Sequence, residues 1–113
     1  MRYSYNFLFN SDSGTHTNTL ISNGVLKATS ATANWVSPVL STSSTITQAY
    51  LIVIGNGLST VSYQISANDG VNYETITNKN KIIFANQGTS LKIKVVFTDT
   101  TAEIDSLSIL YKY

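Results

Sequence analysis

The organising pattern is alternation with a period of two. Val61, Tyr63, Ile65 and Ala67 alternate with Ser62, Gln64 and Ser66, as in a strand with one dry face and one wet face. Asn68-Asp69-Gly70 follows, and Tyr73 and Thr75 then alternate with Asn72 and Glu74. Asn and Asp tolerate left-handed backbone and Gly has no Cβ to clash there, so Val61 to Ile76 predicts a β-hairpin. The same period recurs along the chain. Tyr3, Tyr5, Phe7 and Phe9 share one face of a first strand. Leu20 to Ala28 holds Asn23-Gly24 between apolar pairs, the signal of a type I′ hairpin. Trp35 to Leu40 contains Pro38, which cannot donate to a ladder and marks an edge or an irregularity.

Ile46 to Ile54 carries the longest apolar run, Ala49 to Ile54, and reads as a central strand covered on both faces. Ser41 to Ser44 reads as a loop, Asn78 to Asn80 and Asn86-Gln87-Gly88 as turns, and Ile82 to Phe84 as a short strand. Leu91, Ile93, Val95 and Phe97 form one face of a half-buried strand, and Leu107, Ile109, Tyr111 and Tyr113 one face of the last. The expected core is Tyr50, Ile52, Val61, Ile65, Leu91, Ile93, Val95, Phe97, Leu107 and Ile109. About eight or nine strands with no helix-period segment predict an all-β, antiparallel two-sheet β-sandwich of jelly-roll type, with the first and last strands close in space. A length of 113 residues fits a single domain, 1–113.

Composition narrows the function classes. Charged residues make up 12%, about half the usual share of ~25%. The formal charge of +1 gives no footprint for nucleic acid, and the apolar run is too short for membrane insertion. No export signal is visible, and no cysteine is present for disulfides or thiolate metal sites.

The candidate chemistry is sparse. His16 lies near Ser11, Asp12 and Ser13, but a nucleophilic triad also needs oxyanion donors, so the expectation is no enzyme. Asp69 and Glu74 flank a hairpin and read as a turn residue and a solvated carboxylate, not an acid/base pair. Lys79, Lys81, Lys92 and Lys94 read as protection of strand edges. No cofactor is expected. Asn10, Asp12 and Asp105 are the oxygen donors a structural calcium would use, but six to eight oxygens are required and no EF-hand spacing is present. Trp35, Tyr63, Tyr73, Tyr111 and Tyr113, with Asn68 and Asn72 nearby, are the candidates for glycan or partner contact. Core or interface packing is the competing role of these aromatics.

A resemblance adds a setting. Trp35-Val36-Ser37-Pro38-Val39, the strand Tyr50 to Gly55, Tyr63-Gln64-Ile65-Ser66 with Asn68-Asp69-Gly70 and Asn72-Tyr73-Glu74, Leu91-Lys92-Ile93-Lys94-Val95 and Leu110-Tyr111 stand in an order that resembles small jelly-roll domains of tailed-bacteriophage virion proteins, especially tail, baseplate and fibre-associated ones. Those domains are similar to carbohydrate-binding modules and discoidin-like domains. The resemblance covers Trp35 to Tyr113. Tyr73 stands where that pattern has tryptophan, Val71 where it has a second glycine, and the proline before the last strand is missing. It implies a non-enzymatic virion structural protein, assembled in the bacterial host cytoplasm, that docks onto tail, baseplate, neck or capsid neighbours or onto copies of itself as a homo-oligomer. The alternative is a carbohydrate-binding module for host cell-surface glycans.

Overall fold

A computed structural model describes residues 1–113. Ten strands run antiparallel: β1 (Tyr3–Phe7), β2 (Thr15–Thr17), β3 (Thr19–Ser22), β4 (Val25–Ala28), β5 (Ala33–Val36), β6 (Leu40–Asn56), β7 (Val61–Ser66), β8 (Glu74–Ile76), β9 (Lys81–Phe97) and β10 (Glu103–Lys112). The helical content is one three-residue 3-10 turn, Leu58–Thr60. The strands make two layers. In the first, β10 pairs with β6 on one side and with β1 and β4 on the other, β3 pairs with β4, and the front of β9 pairs with β6. In the second, the back of β9 lies between β5 and β7, with β2 and β8 outside them. Because β9 belongs to both layers, the sandwich is nearly closed along one side.

The core lies between the layers. Ala49, Leu51, Val53, Leu107, Ile109 and Tyr111 point into it from the first sheet, and Trp35, Tyr63, Ile65, Leu91, Ile93, Val95 and Phe97 from the second. The terminal strands meet as the alternation requires, Tyr3 opposite Tyr111 and Phe7 opposite Leu107. The first strand stops at Phe7, two residues earlier than its alternation suggests, and Phe9 turns into the core at φ 54°.

Three expectations change. Ile46 to Ile54 is not covered on both faces: Tyr50 and Ile52 are only half-buried and Ile54 is exposed, because nothing packs outside the first sheet. Val61 is likewise half-buried. Ser41 to Ser44 and Asn86-Gln87-Gly88 are not a loop and a turn but parts of 17-residue strands, the first near the start of β6 and the second in the middle of β9. Register shifts between Ser41 and Ile46 and between Ile46 and Gln48 let β6 bend there without breaking. Gly88 permits the bend of β9, since a Cβ at this position would come within 2.4 Å of the Ala67 carbonyl oxygen. At Pro38 the ladder is interrupted as expected. Ser37 substitutes for it, its backbone N–H donating to the Ile93 carbonyl at 2.9 Å and its hydroxyl accepting from the Ile93 N–H at 3.0 Å.

The hairpin turn carries left-handed backbone at Asp69 (φ 61°) and Gly70 (φ 79°). The Ser66 hydroxyl accepts from the Asn68 and Gly70 N–H groups at 3.2 and 2.9 Å, and Asp69 N–H donates to the Ser90 carbonyl at 2.9 Å. Gly70→Val is expected to cost about 1–2 kcal/mol, the penalty of left-handed backbone for an L-residue, whereas Gly70→Asn should cost much less. Equal thermal melts for the two variants would contradict the turn assignment.

Candidate functional site

The sequence candidates divide by exposure. Trp35 is fully buried, its indole N–H donating to the Ser13 carbonyl at 2.8 Å, and Tyr63 and Tyr111 are 5% and 7% exposed. These three therefore belong to the core and cannot offer a ring face to a sugar or a neighbouring subunit. Asn68 and Asn72 are already committed to the hairpin loop. The Asn68 amide donates to Asn72 Oδ1 at 2.9 Å, and Asn68 Oδ1 accepts from the Asn72 N–H at 2.9 Å. Tyr73 is half-buried, with Lys94 Nζ 5.5 Å from its ring centroid and the Gly70 backbone against its edge. That loop is a self-satisfied structural unit.

The charged candidates separate likewise. Asp69 pairs with Lys92 at 3.0 Å, while Glu74 accepts from the Ala85 and Asn86 N–H groups at 2.8 and 3.1 Å. Lys79 occupies a left-handed turn position, Lys92 and Lys94 lie on the second layer, and Lys81 on the first. They form no single strip. His16 is linked to Asp12 through Nε2 and to the Thr19 hydroxyl through Nδ1, both at 2.8 Å. The hydroxyl in reach is thus Thr19 rather than Ser11 or Ser13. Thr19 is buried and bonds the Asn34 carbonyl at 3.2 Å, so this array fastens the loop before β2 to the sheet. Asp12 is engaged there, Asp105 sits at the bulge of β10, and no group of three or more His, Asp or Glu side chains comes together for a metal.

The largest concavity, about 810 Å³, lies on the outer face of the first sheet. Its floor follows from the register. In one row Lys112 stands opposite Gln48, which stands opposite Ile83; in the next, Leu110 stands opposite Tyr50, which stands opposite Lys81. Tyr50 is therefore the aromatic centre of a floor with Gln48 and Leu110 beside it. One end is built by Met1, Arg2, Tyr3 and Tyr113. The Tyr3 ring lies 4.8 Å from Tyr113 and 5.5 Å from the buried Tyr111, so an aromatic step leads from the core to the rim. Burial first, then the proximity of Tyr113 and Tyr3, raises the Tyr111 phenol above the ordinary tyrosine range. Of the candidates for glycan or partner contact only Tyr113 belongs to this groove, joined by Lys81, which the sequence reads as edge protection. The others were missed because Tyr50 looks like core in a continuous apolar run; only the pairing of β6 with β9 and β10 fixes which residues of that run point outward.

A second cavity, about 260 Å³, opens beside Tyr63 between β7, β8 and the 3-10 turn. Leu58, Val61 and Ile76 make it largely apolar. The Tyr63 hydroxyl finds no protein partner, and burial pushes its pKa up to about 12.

An aromatic floor flanked by an amide and cationic side chains can hold the apolar face of a ring while donating hydrogen bonds to its periphery. No protein-family model matches the chain, and no curated protein matches it. A similar structure is that of the Podospora anserina GH26-CBM35 β-(1,4)-mannanase, with a TM-score of 0.54 at 9% sequence identity. The superposition covers 97% of this chain and 28% of the mannanase chain, so this chain spans under a third of that protein's length. The likeness is one of fold: this chain is a β-sandwich like the matched part of that structure.

Proposed function

We propose that the protein is a non-catalytic carbohydrate-binding module whose ligand site is the groove centred on Tyr50. The observation that carries this reading is an outward tyrosine with Gln48 beside it, Lys81 opposite it and Lys112 opposite Gln48, on a sheet face that nothing covers. The fold of a carbohydrate-active enzyme's module supports it. A sugar ring would rest its C–H face on Tyr50, Gln48 would hydrogen-bond hydroxyls, and Tyr3 and Tyr113 would close the end. Isothermal titration after a glycan-array screen tests this. Tyr50→Ala is expected to reduce affinity about tenfold or more, the scale of one lost aromatic contact, with an unchanged thermal melt. An array with no hits, or a Tyr50→Ala variant that binds as well as the parent, would defeat it.

A second reading keeps the module as a structural subunit of a tailed-phage particle, docked onto neighbours or onto itself. The exposed apolar side chains Ile54 (58%) and Ile83 (66%) on the same outer face support it, as does the sequence resemblance. Light scattering of the purified chain tests self-association; a monomer at high concentration that also fails to bind purified virion subunits would dismiss this reading.

A further inference from the structure

We propose that the glycan taken by the groove is acidic, carrying carboxylate, sulfate or phosphate groups on its sugar rings. This rests on the reading of the groove as a glycan site and specifies the ligand class.

Charge is distributed unevenly over the molecule. The chain has seven Lys and Arg residues and six Asp and Glu. Three of the seven cations, Arg2, Lys81 and Lys112, line this one groove, and no acidic side chain does. The ion pairs of the protein are His16 with Asp12 and Lys92 with Asp69, so the three groove cations are paired with nothing. Their placement is set by the ladder. Lys112 lies on β10 opposite Gln48 and Lys81 on β9 opposite Tyr50, so across two strand spacings and a two-residue offset their backbones stand roughly 12 Å apart. Tyr50 lies between. A ring resting on Tyr50 therefore meets positive charge on both sides.

Donor and acceptor balance leads to the same conclusion. Lys and Arg side chains donate hydrogen bonds and accept none. A neutral sugar brings hydroxyls that must also donate, and among the groove side chains only the Gln48 amide and the tyrosine hydroxyls can accept. A carboxylate or sulfate brings acceptors alone and matches what the groove offers. Its bonds to Lys and Arg are charge-assisted, stronger than neutral ones, and Arg2 can grip a carboxylate through two parallel bonds. A nucleic-acid strand also brings acceptors, but it needs a basic track for successive phosphates. Beyond Tyr50 the outward residues of β6 are Ile52 and Ile54, and the outward residues paired with them on β10 are Ser108 and Ser106. The positive charge does not continue.

The test uses the full chain and matched polysaccharides that differ only in charge: polygalacturonate against its methyl ester, and dextran sulfate against dextran, each titrated calorimetrically at low and high salt. The expected result is that the charged member of at least one pair binds about tenfold or more tightly than its neutral counterpart, the scale of one charge-assisted hydrogen bond, and that salt weakens it. Lys81→Gln and Lys112→Gln, both at exposed positions, should each lower that affinity several-fold while leaving the thermal melt in place. Charged and neutral members binding alike, with binding lost in Tyr50→Ala, would overturn the acidic preference and leave the glycan site standing. Charged polysaccharide bound equally by both glutamine variants would also overturn it, since the attraction would then lie elsewhere. No binding to any member, or tighter binding to a thymidine oligonucleotide, would overturn both.

Discussion

Trp35→Ala is expected to lower the free energy of unfolding by about 3–5 kcal/mol, the cost of emptying a large aromatic site in a packed core. Trp35 is fully buried on β5, an interior strand of the second sheet, opposite Val95 on one side and His16 on the other. Phe7 and Phe9 meet its ring edge-on at 5.2 and 5.5 Å, an arrangement that favours the positive edge of one ring against the negative face of another. The loop before β2 is pressed onto the indole so closely that a Cβ at Gly14 would come within 2.5 Å of Nε1. Removing the side chain therefore opens a cavity, strips two phenylalanines of their partner and leaves the Ser13 carbonyl without its donor. Trp35→Phe keeps an aromatic ring but loses the hydrogen bond and part of the indole volume, so a smaller loss of about 1–3 kcal/mol is expected. Urea unfolding followed by circular dichroism measures both. A loss below about 1 kcal/mol for Trp35→Ala would place the indole outside the core and return it to the candidates for ligand stacking.

The sandwich was legible because its signal is local. Leu91, Ile93, Val95 and Phe97 alternate without interruption, and all four are buried. Asn23 and Gly24 both take positive φ, 54° and 77°, as a type I′ turn demands. The strand lengths were less legible. Ser41 to Ser44 and Asn86 to Gly88 have loop-like compositions, yet the chain continues through them as strand because bulges and a close backbone approach at Gly88 carry it from one layer to the other. Composition records what a residue prefers, whereas a bend of this kind is decided by a partner far along the chain.

The groove was hidden for a related reason. In the run Ala49 to Ile54 every residue is apolar or aromatic, so the alternation that reveals a wet face is absent. Which half points outward is settled by pairing, Tyr50 with Leu110 and Lys81, and Leu51 with Ile109. The terminal residues Arg2 and Tyr113 enter the site only because β1 and β10 are neighbours. Trp35 shows the opposite error: its type suggests a sugar platform, but its position in the ladder makes it core.

At alkaline pH the protein is expected to lose stability steeply between pH 10 and 12, and Tyr63 is the largest single source. Burial holds its phenol at a pKa of about 12, against 10.0 for an unperturbed tyrosine. Burial also raises Tyr5 and Tyr111. In each case the folded state favours the neutral phenol, so the unfolded chain releases its proton first. Below pH 10 both states keep the proton and the stabilisation is whole; as pH rises towards the folded pKa the unfolded chain binds fewer protons and stability falls. For Tyr63 alone the loss by pH 12 is roughly 2–3 kcal/mol, with Tyr5 and Tyr111 adding in the same direction. Tyr5 has a second reason to resist ionisation, since its hydroxyl donates to the Pro38 carbonyl at 2.7 Å and a phenolate could not. The measurement is urea unfolding at a series of pH values, with phenolate absorbance recorded alongside. Seven tyrosines are present, and the three raised ones should ionise fully only as the chain unfolds. Tyr63→Phe should flatten the alkaline fall by the Tyr63 share and shift nothing near neutral pH through ionisation. If Tyr63→Phe and the parent lose stability in parallel from pH 10 to 12, the Tyr63 phenol is not held neutral by the core, and the apolar cavity around it is open to water.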